Sequence, residues 1–459
     1  MAFRDLREYM AFLEARGELL TIEKEVDPVH EIAAYIRKTS DTAGPAIHFK
    51  KVKGHHMPVA GGFFTTRDRA VEALGFTREN ALDRFMEGIR NPIPPVEVKE
   101  APCHEVVFTG EDVDLRQYPF PTYCALDGGA FITVACQISR DMETGRQNMG
   151  IYRQQLKGRN RLGLWASPYQ HIMVHRDKAE TRGEGLEVAV VQGLDPAVLL
   201  ASQTRAPYGV DELGIAGGLR GEPVEVVRCK TIDVMVPAWA EMVFEGRLIP
   251  GHREPEGPFG EFPGYYGPTT NSPVLEITAV TMRRDAIWQA GLTGPPITEN
   301  HVLKELPGEA SMYHDLKQLF PEVRAVHLSA SGCSRFTAYI SAKIRYRHQS
   351  RCILTTALGC SAKPKIVILC DEDVDIYDET QVIWAVTTRC RPDEDVIIIK
   401  DNCLAGLDPS SDKGISSTMG IDATRPFGKP FAEIALVPGV EKVPDLKAMV
   451  KAQQEQARL

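Results

Sequence analysis

The sequence has no apolar run approaching the ~18 uncharged residues a membrane-spanning helix needs. Even the valine-rich stretch Leu186–Leu200 is broken by Gln192, Gly193 and Asp195. It lacks a basic excess: the net charge of −9 argues against a nucleic-acid binder, which must displace counterions from phosphates with a basic stripe. The ten cysteines include no Cys-x-x-Cys pair and no regular spacing, so reduced, mostly buried thiols are expected rather than a zinc site or a disulfide frame. The opening Met1-Ala-Phe-Arg-Asp-Leu-Arg-Glu-Tyr has neither the basic start nor the apolar core of a signal peptide, and a cytoplasmic address is expected. Internal repeats and low-complexity segments are missing too.

What is present is a chain of 459 residues, 43% hydrophobic and 25% charged, long enough to bury two or three cores. Leu6, Tyr9, Met10 and Leu13 share one helical face, with Asp5 as N-cap and Gly17 as stop. A strand over residues 19–26, a helix over 31–38, a strand over 46–49 and helices over 67–74 and 81–87 complete an N-terminal α/β region of residues 1–100. The Pro-rich Asn91-Pro-Ile-Pro-Pro-Val marks its boundary. Short runs rich in β-branched residues follow at 131–139, 172–175, 186–191, 224–236 and 274–283, as in a barrel-like antiparallel sheet. Residues 299–320 suit a helical connector, which Pro307-Gly308 should interrupt. Beyond it, strands at 338–344, 365–370 and 395–399 alternate with helices at 350–358 and 379–385, the order of a smaller α/β domain. There Trp384 is expected on a core face, and a solvated helix is expected after Pro444.

Four segments carry polar groups suited to chemistry. Asn148-Met-Gly-Ile-Tyr-Arg153 lies between apparent strands, and Tyr169-Gln-His171 precedes a β-like run. Asp211-Glu212 leads into a Gly-rich stretch where backbone can approach a ligand. Taken singly, each also suits a turn, a cap or a surface ion pair. Asn148, His171 and Glu212 together offer an amide oxygen, an imidazole and a carboxylate, a set suited to Mg2+ or Mn2+. The fourth segment, Glu256-Gly-Pro-Phe-Gly-Glu261-Phe-Pro-Gly-Tyr-Tyr, holds two carboxylates in a loop too broken for a helix. Arg153 between them would keep one ionised while the other moved a proton.

In this order and at these separations, Asn148…Arg153, Gln170-His171, Glu212 and Glu256-Gly-Pro-Phe-Gly-Glu261 resemble the active-site signature of the UbiD family of decarboxylases. Ala216-Gly-Gly-Leu-Arg-Gly-Glu, Thr387-Thr-Arg-Cys-Arg-Pro392 and Gly420-Ile-Asp-Ala-Thr424 extend the resemblance over most of the chain. It implies an α+β protein: a prenylated-FMN-binding split β-barrel at 101–298, a helical connector at 299–324 and a C-terminal α/β oligomerisation domain at 325–459, in a homodimer or higher homo-oligomer. It further implies prenylated FMN supplied by a separate flavin prenyltransferase, with Mn2+ or Mg2+ and K+ at its phosphate. Asn148, His171 and Glu212 would be the metal ligands, and Ile151, Tyr152, Gln170 and Ser202 would border the flavin. Arg153, Glu256 and Glu261 would be catalytic, with Arg153 gripping the substrate carboxylate bidentately and Glu261 donating the proton. Thr293, Ile297, His301, Asn402 and Leu404 would line the substrate pocket, His301 either bonding a ring heteroatom or hydroxyl or capping the next helix. Thr418 stands where polyprenyl-hydroxybenzoate members carry lysine, which points away from that substrate. A flavin reductase or oxidase on ordinary FMN, and a non-catalytic metal-held dimer, are the rival readings.

Overall fold

A computed structural model of the chain describes residues 3–404, 406–446, 449, 450 and 453. Residues 1–424 form one compact unit and 425–459 a second. The second contains a 3-10 turn at Val440–Lys442, and the helix expected after Pro444 falls largely outside the described residues.

The first helix, Leu6–Ala15, begins where Asp5 accepts the Glu8 N–H at 2.8 Å, and it buries Leu6, Tyr9, Met10 and Leu13. Behind it lies a four-stranded sheet of Leu19–Val26, Ala46–Val52, Val59–Gly61 and, from far along the chain, Trp288–Ala290. A Cβ on Gly61 would sit 2.3 Å from the Ala290 carbonyl oxygen, so this pairing requires glycine.

A nine-stranded sheet curls into a half-barrel that holds the middle of the chain. Its spine is the long antiparallel pair Met242–Glu256 and Thr270–Met282. The register shifts between Glu245 and Gly246 and again between Leu248 and Arg253, and such bulges sharpen the bend a curled sheet needs. At its far edge Ala135–Arg140 pairs with Gln147–Ile151, which sets Asn148 opposite Ser139.

The run 172–175, expected as a strand, lies instead in the helix His171–Thr181, which buries Ile172, Met173, His175 and Ala179. Four apolar-leaning residues fit either period, and here the helical face wins by packing against the half-barrel.

Pro307-Gly308 does not interrupt the connector. One helix runs Glu299–Leu319 through both residues. It packs on N-terminal helices on one side and on the C-terminal sheet on the other, and that burial outweighs the hydrogen bond the proline cannot make. Gly308 is needed there, because a Cβ would meet Leu328 at 2.6 Å.

The C-terminal sheet has five strands in the order Val323–His327, Thr337–Ala342, Ile366–Cys370, Ile415–Ala423 and Val396–Cys403. Of the helix Glu379–Arg389, Val382, Ala385 and Arg389 face inward, whereas Ile383 and Trp384 are exposed. Trp384 is therefore not a core residue: the inward positions go to Val382, Ala385 and Arg389, which is paired with Asp371 and Asp373, and the Arg389 guanidinium lies 5.1 Å from the indole centroid. All ten cysteines are free, five of them buried.

Candidate active site

Glu256 ends the long strand Met242–Glu256, and the short pair Phe259–Gly260 with Tyr266–Gly267 folds the next residues back so that Glu261 lies nearby. Gly257 makes this turn with φ +96°, a conformation open chiefly to glycine. Arg153 arrives from the opposite edge, just after Gln147–Ile151. Its Nε and Nη2 donate to the two oxygens of Glu256 at 2.9 and 2.7 Å, and its Nη1 donates to Glu261. Trp165 and Phe259 flank the guanidinium, with ring centroids 4.6 and 5.2 Å away. The bidentate grip expected for a substrate carboxylate is therefore spent on Glu256. Glu256 is fully buried behind Arg153, while Arg153 and Glu261 line a cavity of about 400 Å³.

Asn148, His171 and Glu212 line that same cavity. Each is placed by local structure: Asn148 by the edge strand, His171 and Glu212 as the first residues of their helices. His171 Nδ1–H donates to Asn148 Oδ1 at 3.0 Å, and the Met149 N–H donates to Glu212 at 2.8 Å. Burial pushes the Glu212 carboxyl up to about 8 and the His171 imidazole down. The Asn148 Nδ2 is buried with no hydrogen-bond partner among the described residues. A buried, poorly solvated carboxyl beside an amide and a neutral imidazole is a donor set that a hard divalent cation would satisfy, so these residues fit the metal.

Ile151, Tyr152, Gln170 and Ser202 also stand on the cavity wall. Gln170 Oε1 accepts the Ser167 N–H at 2.7 Å, the Tyr152 N–H donates to Gln137 at 2.6 Å, and Ser202 Oγ donates to the Leu199 carbonyl at 2.6 Å. The wall is thus held by bonds that fix its shape, with room for a flat ligand.

Of the five residues expected at a substrate, Thr293 alone is on the wall. Ile297 is exposed on the outside. His301 is fully buried as a helix cap: Nδ1 accepts the Thr298 N–H at 3.0 Å and Nε2–H donates to the Phe262 carbonyl at 2.8 Å. With both nitrogens engaged and burial pushing it down to about 4, its ring stays neutral and has nothing to offer a ligand. Asn402 bonds the Leu358 carbonyl and Thr418 Oγ1 at 3.2 and 3.1 Å. Leu404 is buried, tied to the Gly414 carbonyl at 2.6 Å. The wall instead includes Trp165, Arg205, Phe262, Lys304 and Arg335. Phe262 could have been found as the neighbour of Glu261, but nothing local in the sequence singles out the three cations.

A second cluster, Glu305, Glu309 and His327, also brings ligand-type atoms together. Here Arg67 already supplies the positive charge, its Nη2 and Nε donating to Glu309 at 2.8 and 3.0 Å, while His327 Nδ1 lies 2.7 Å from the same carboxylate. Burial and the neighbouring Glu309 push Glu305 well above the usual carboxyl range. Burial pushes on Glu309 the same way, yet Arg67 and His327 hold it below that range. The group is an internal ion-pair network with a resident guanidinium.

Three family models of 3-octaprenyl-4-hydroxybenzoate carboxy-lyase match in chain order: the N-terminal domain at residues 10–89, the Rift-related domain at 95–296 and the C-terminal domain at 301–423. Among solved structures, the UbiD-class enzyme HmfF from Pelotomaculum thermopropionicum, in complex with FMN, is 41% identical at a TM-score of 0.91, covering 96% of this chain and 99% of its own. The vanillic acid decarboxylase of Sedimentibacter hydroxybenzoicus is 32% identical at 0.87, over 99% of both chains. The 3,4-dihydroxybenzoic acid decarboxylase of Enterobacter cloacae is 32% identical at 0.87, covering 97% of this chain and 100% of its own. Full-length likeness of this kind, with matching models for three successive segments of the sequence, makes the chain a member of the UbiD family of carboxy-lyases.

Proposed function

We propose that the protein removes CO2 from an aromatic, heteroaromatic or α,β-unsaturated carboxylic acid with prenylated FMN in the cavity, its phosphate held through Mn2+ or Mg2+ at Asn148, His171 and Glu212, with K+ beside it. One observation carries this reading: the chain Glu256–Arg153–Glu261 opens onto the same cavity as the three metal-type residues. A heteroaromatic or hydroxyaromatic acid is the favoured substrate. Its hydroxyaromatic half rests on relatives named for vanillic and 3,4-dihydroxybenzoic acids, and His301 supports neither half. The cofactor assignment draws on HmfF, of which an evolved dimeric form is described in complex with prFMN. A flavin prenyltransferase is the expected supplier, and a second copy of this chain the expected partner.

Loss of CO2 from an sp2 carbon leaves an electron pair with no stable home, and a modified flavin, when bound, supplies the sink for it. The protein's own groups do the rest. Glu256 fixes Arg153 from behind, and Arg153 holds Glu261 at the cavity surface. Glu261 alone of the two carboxyls reaches the wall, so it is the group that delivers a proton to the carbon that CO2 has left. Trp165, Phe259 and Phe262 keep bulk water from competing for that carbon.

The test is CO2 release by protein co-produced with a flavin prenyltransferase, offered indole, pyrrole, furan, hydroxybenzoic and cinnamic acids. Turnover of at least one class, and H/D exchange in its product, is the expected result. A holoenzyme that binds the flavin and releases CO2 from none of them overturns the reading.

A further inference from the structure

Three cations on the cavity wall, Arg205, Lys304 and Arg335, have no part in the chemistry above. Among the described residues none of the three forms a salt bridge. Lys304 Nζ donates to Asn300 Oδ1 at 2.7 Å and lies 4.6 Å from the centroid of the Phe262 ring, the residue after Glu261. Arg205 Nη1 donates to the Ser361 carbonyl, and Arg335 Nε is buried with no hydrogen-bond partner among the described residues. The lysine thus stands in a half-buried, aromatic-flanked part of the cavity into which a carboxy-lyase releases CO2, with two guanidinium groups acting on it and no carboxylate paired to it among the described residues.

We infer that Lys304 Nζ takes up CO2 as a carbamate, stabilised by Arg205 and Arg335. The amine lone pair forms an N–C bond to CO2, one C–O π pair becomes the charge on oxygen, and a proton leaves nitrogen for water. One CO2 is consumed, one proton is released, and a neutral amine becomes an anion.

Electrostatics favour this product. The reaction needs the free base, and burial, with repulsion from Arg335 and Arg205, brings the Lys304 ammonium down to about 7. Burial and repulsion from Arg335 likewise lower Arg205 to about 9, a sign that the cluster holds more positive charge than it can solvate. Counted from the ammonium, which first loses one proton to give the free base, the carbamate puts an anion where a cation stood and turns two repulsions into two attractions, each large in a medium of low dielectric. A surface lysine has neither the free base nor the waiting partners. The carbamate puts a carboxylate-like group on the wall, so CO2 competes there with an incoming acid.

The proposal draws on the carboxy-lyase activity only for its CO2, and added bicarbonate replaces that source in the test. Holoenzyme is equilibrated with isotopically labelled bicarbonate, trapped with triethyloxonium, digested and read by mass spectrometry. Lys304 is expected to be the most heavily labelled lysine, with a label that rises and saturates with bicarbonate. Label on Lys304 no greater than on exposed lysines such as Lys51 overturns the proposal. As a second measurement, the carbamate carbon signal in the nuclear magnetic resonance spectrum should vanish in Lys304→Arg that still retains flavin, and a signal surviving there also overturns it. Because trapping needs no substrate, an enzyme inactive on every acid would refute the catalytic reading and leave this result to stand or fall alone.

Discussion

Arg153 grips Glu256 through Nε and Nη2 and so turns its two-pronged edge away from the cavity, leaving Nη1 for Glu261. The arginine works here as a bracket between two carboxylates. Removing Glu261, the proposed proton donor, and removing the bracket should therefore have different signatures.

Glu261→Gln should lower the rate of the protonation-dependent steps by about 10²- to 10⁴-fold, the usual worth of a positioned general acid, with flavin content unchanged. Single-turnover CO2 release and H/D exchange measure it, and wild-type rates with cofactor bound would remove Glu261 from the role. Glu256→Gln leaves a buried guanidinium half-compensated and should cost stability as well, on the order of 3 kcal/mol.

His171→Ala should lose both divalent metal and flavin, since its imidazole is one of the three proposed ligands on the cavity wall. Elemental analysis and the flavin absorbance of purified protein report this. Undiminished Mn2+ or Mg2+ would take His171 out of the ligand set.

His301→Ala tests the difference between the expected and the observed role of that ring. The structure gives it two hydrogen bonds in the protein interior, so the variant should lose roughly 2 kcal/mol of stability and melt earlier. Its ranking of acid substrates should stay the same. A changed ranking at unchanged stability would place the ring in the pocket after all.

Glu299 gives a pH test. Its carboxyl is fully buried, and burial pushes it up to about 7 although Gly62, Phe63 and Phe64 donate backbone N–H groups to it. A raised folded-state value means that the folded protein holds this proton more tightly than the unfolded chain. Its contribution to stability is complete below the ordinary value of 4.5 and is lost as the pH rises through about 7. Glu299→Gln should flatten the fall of melting temperature across that window, and an unchanged slope would show that another group sets it.

Much of this was legible because periodicity and turn residues are local signals. Asp5, the face of Leu6, Tyr9, Met10 and Leu13, and Gly17 specify the first helix without outside help. The candidate site was legible only jointly, through the order and separation of Asn148, Arg153, Gln170, His171, Glu212, Glu256 and Glu261, which the fold brings to one cavity, with the Glu256 carboxylate behind it. The failures share one cause, which is that neighbours distant in sequence decide them. Residues 172–175 are a helix because of the half-barrel beneath them, and Pro307 is tolerated because its helix is packed on both sides. His301 is a cap because the Phe262 carbonyl lies within reach. Arg205, Lys304 and Arg335 come from three separate segments, and only the folded chain shows them on one wall.

The strand Trp288–Ala290 completes the sheet begun by Leu19–Val26 and is paired with Val59–Gly61. On the ribosome, the first sheet must therefore wait, with the edge at Val59–Gly61 open, until residue 290 has been made and has cleared the exit tunnel. An open edge of this kind is where a nascent chain can pair with the wrong strand. The strands Leu19–Val26, Ala46–Val52 and Val59–Gly61 are made long before the strand that closes their sheet, and a fragment ending near residue 100 should aggregate where the whole chain folds.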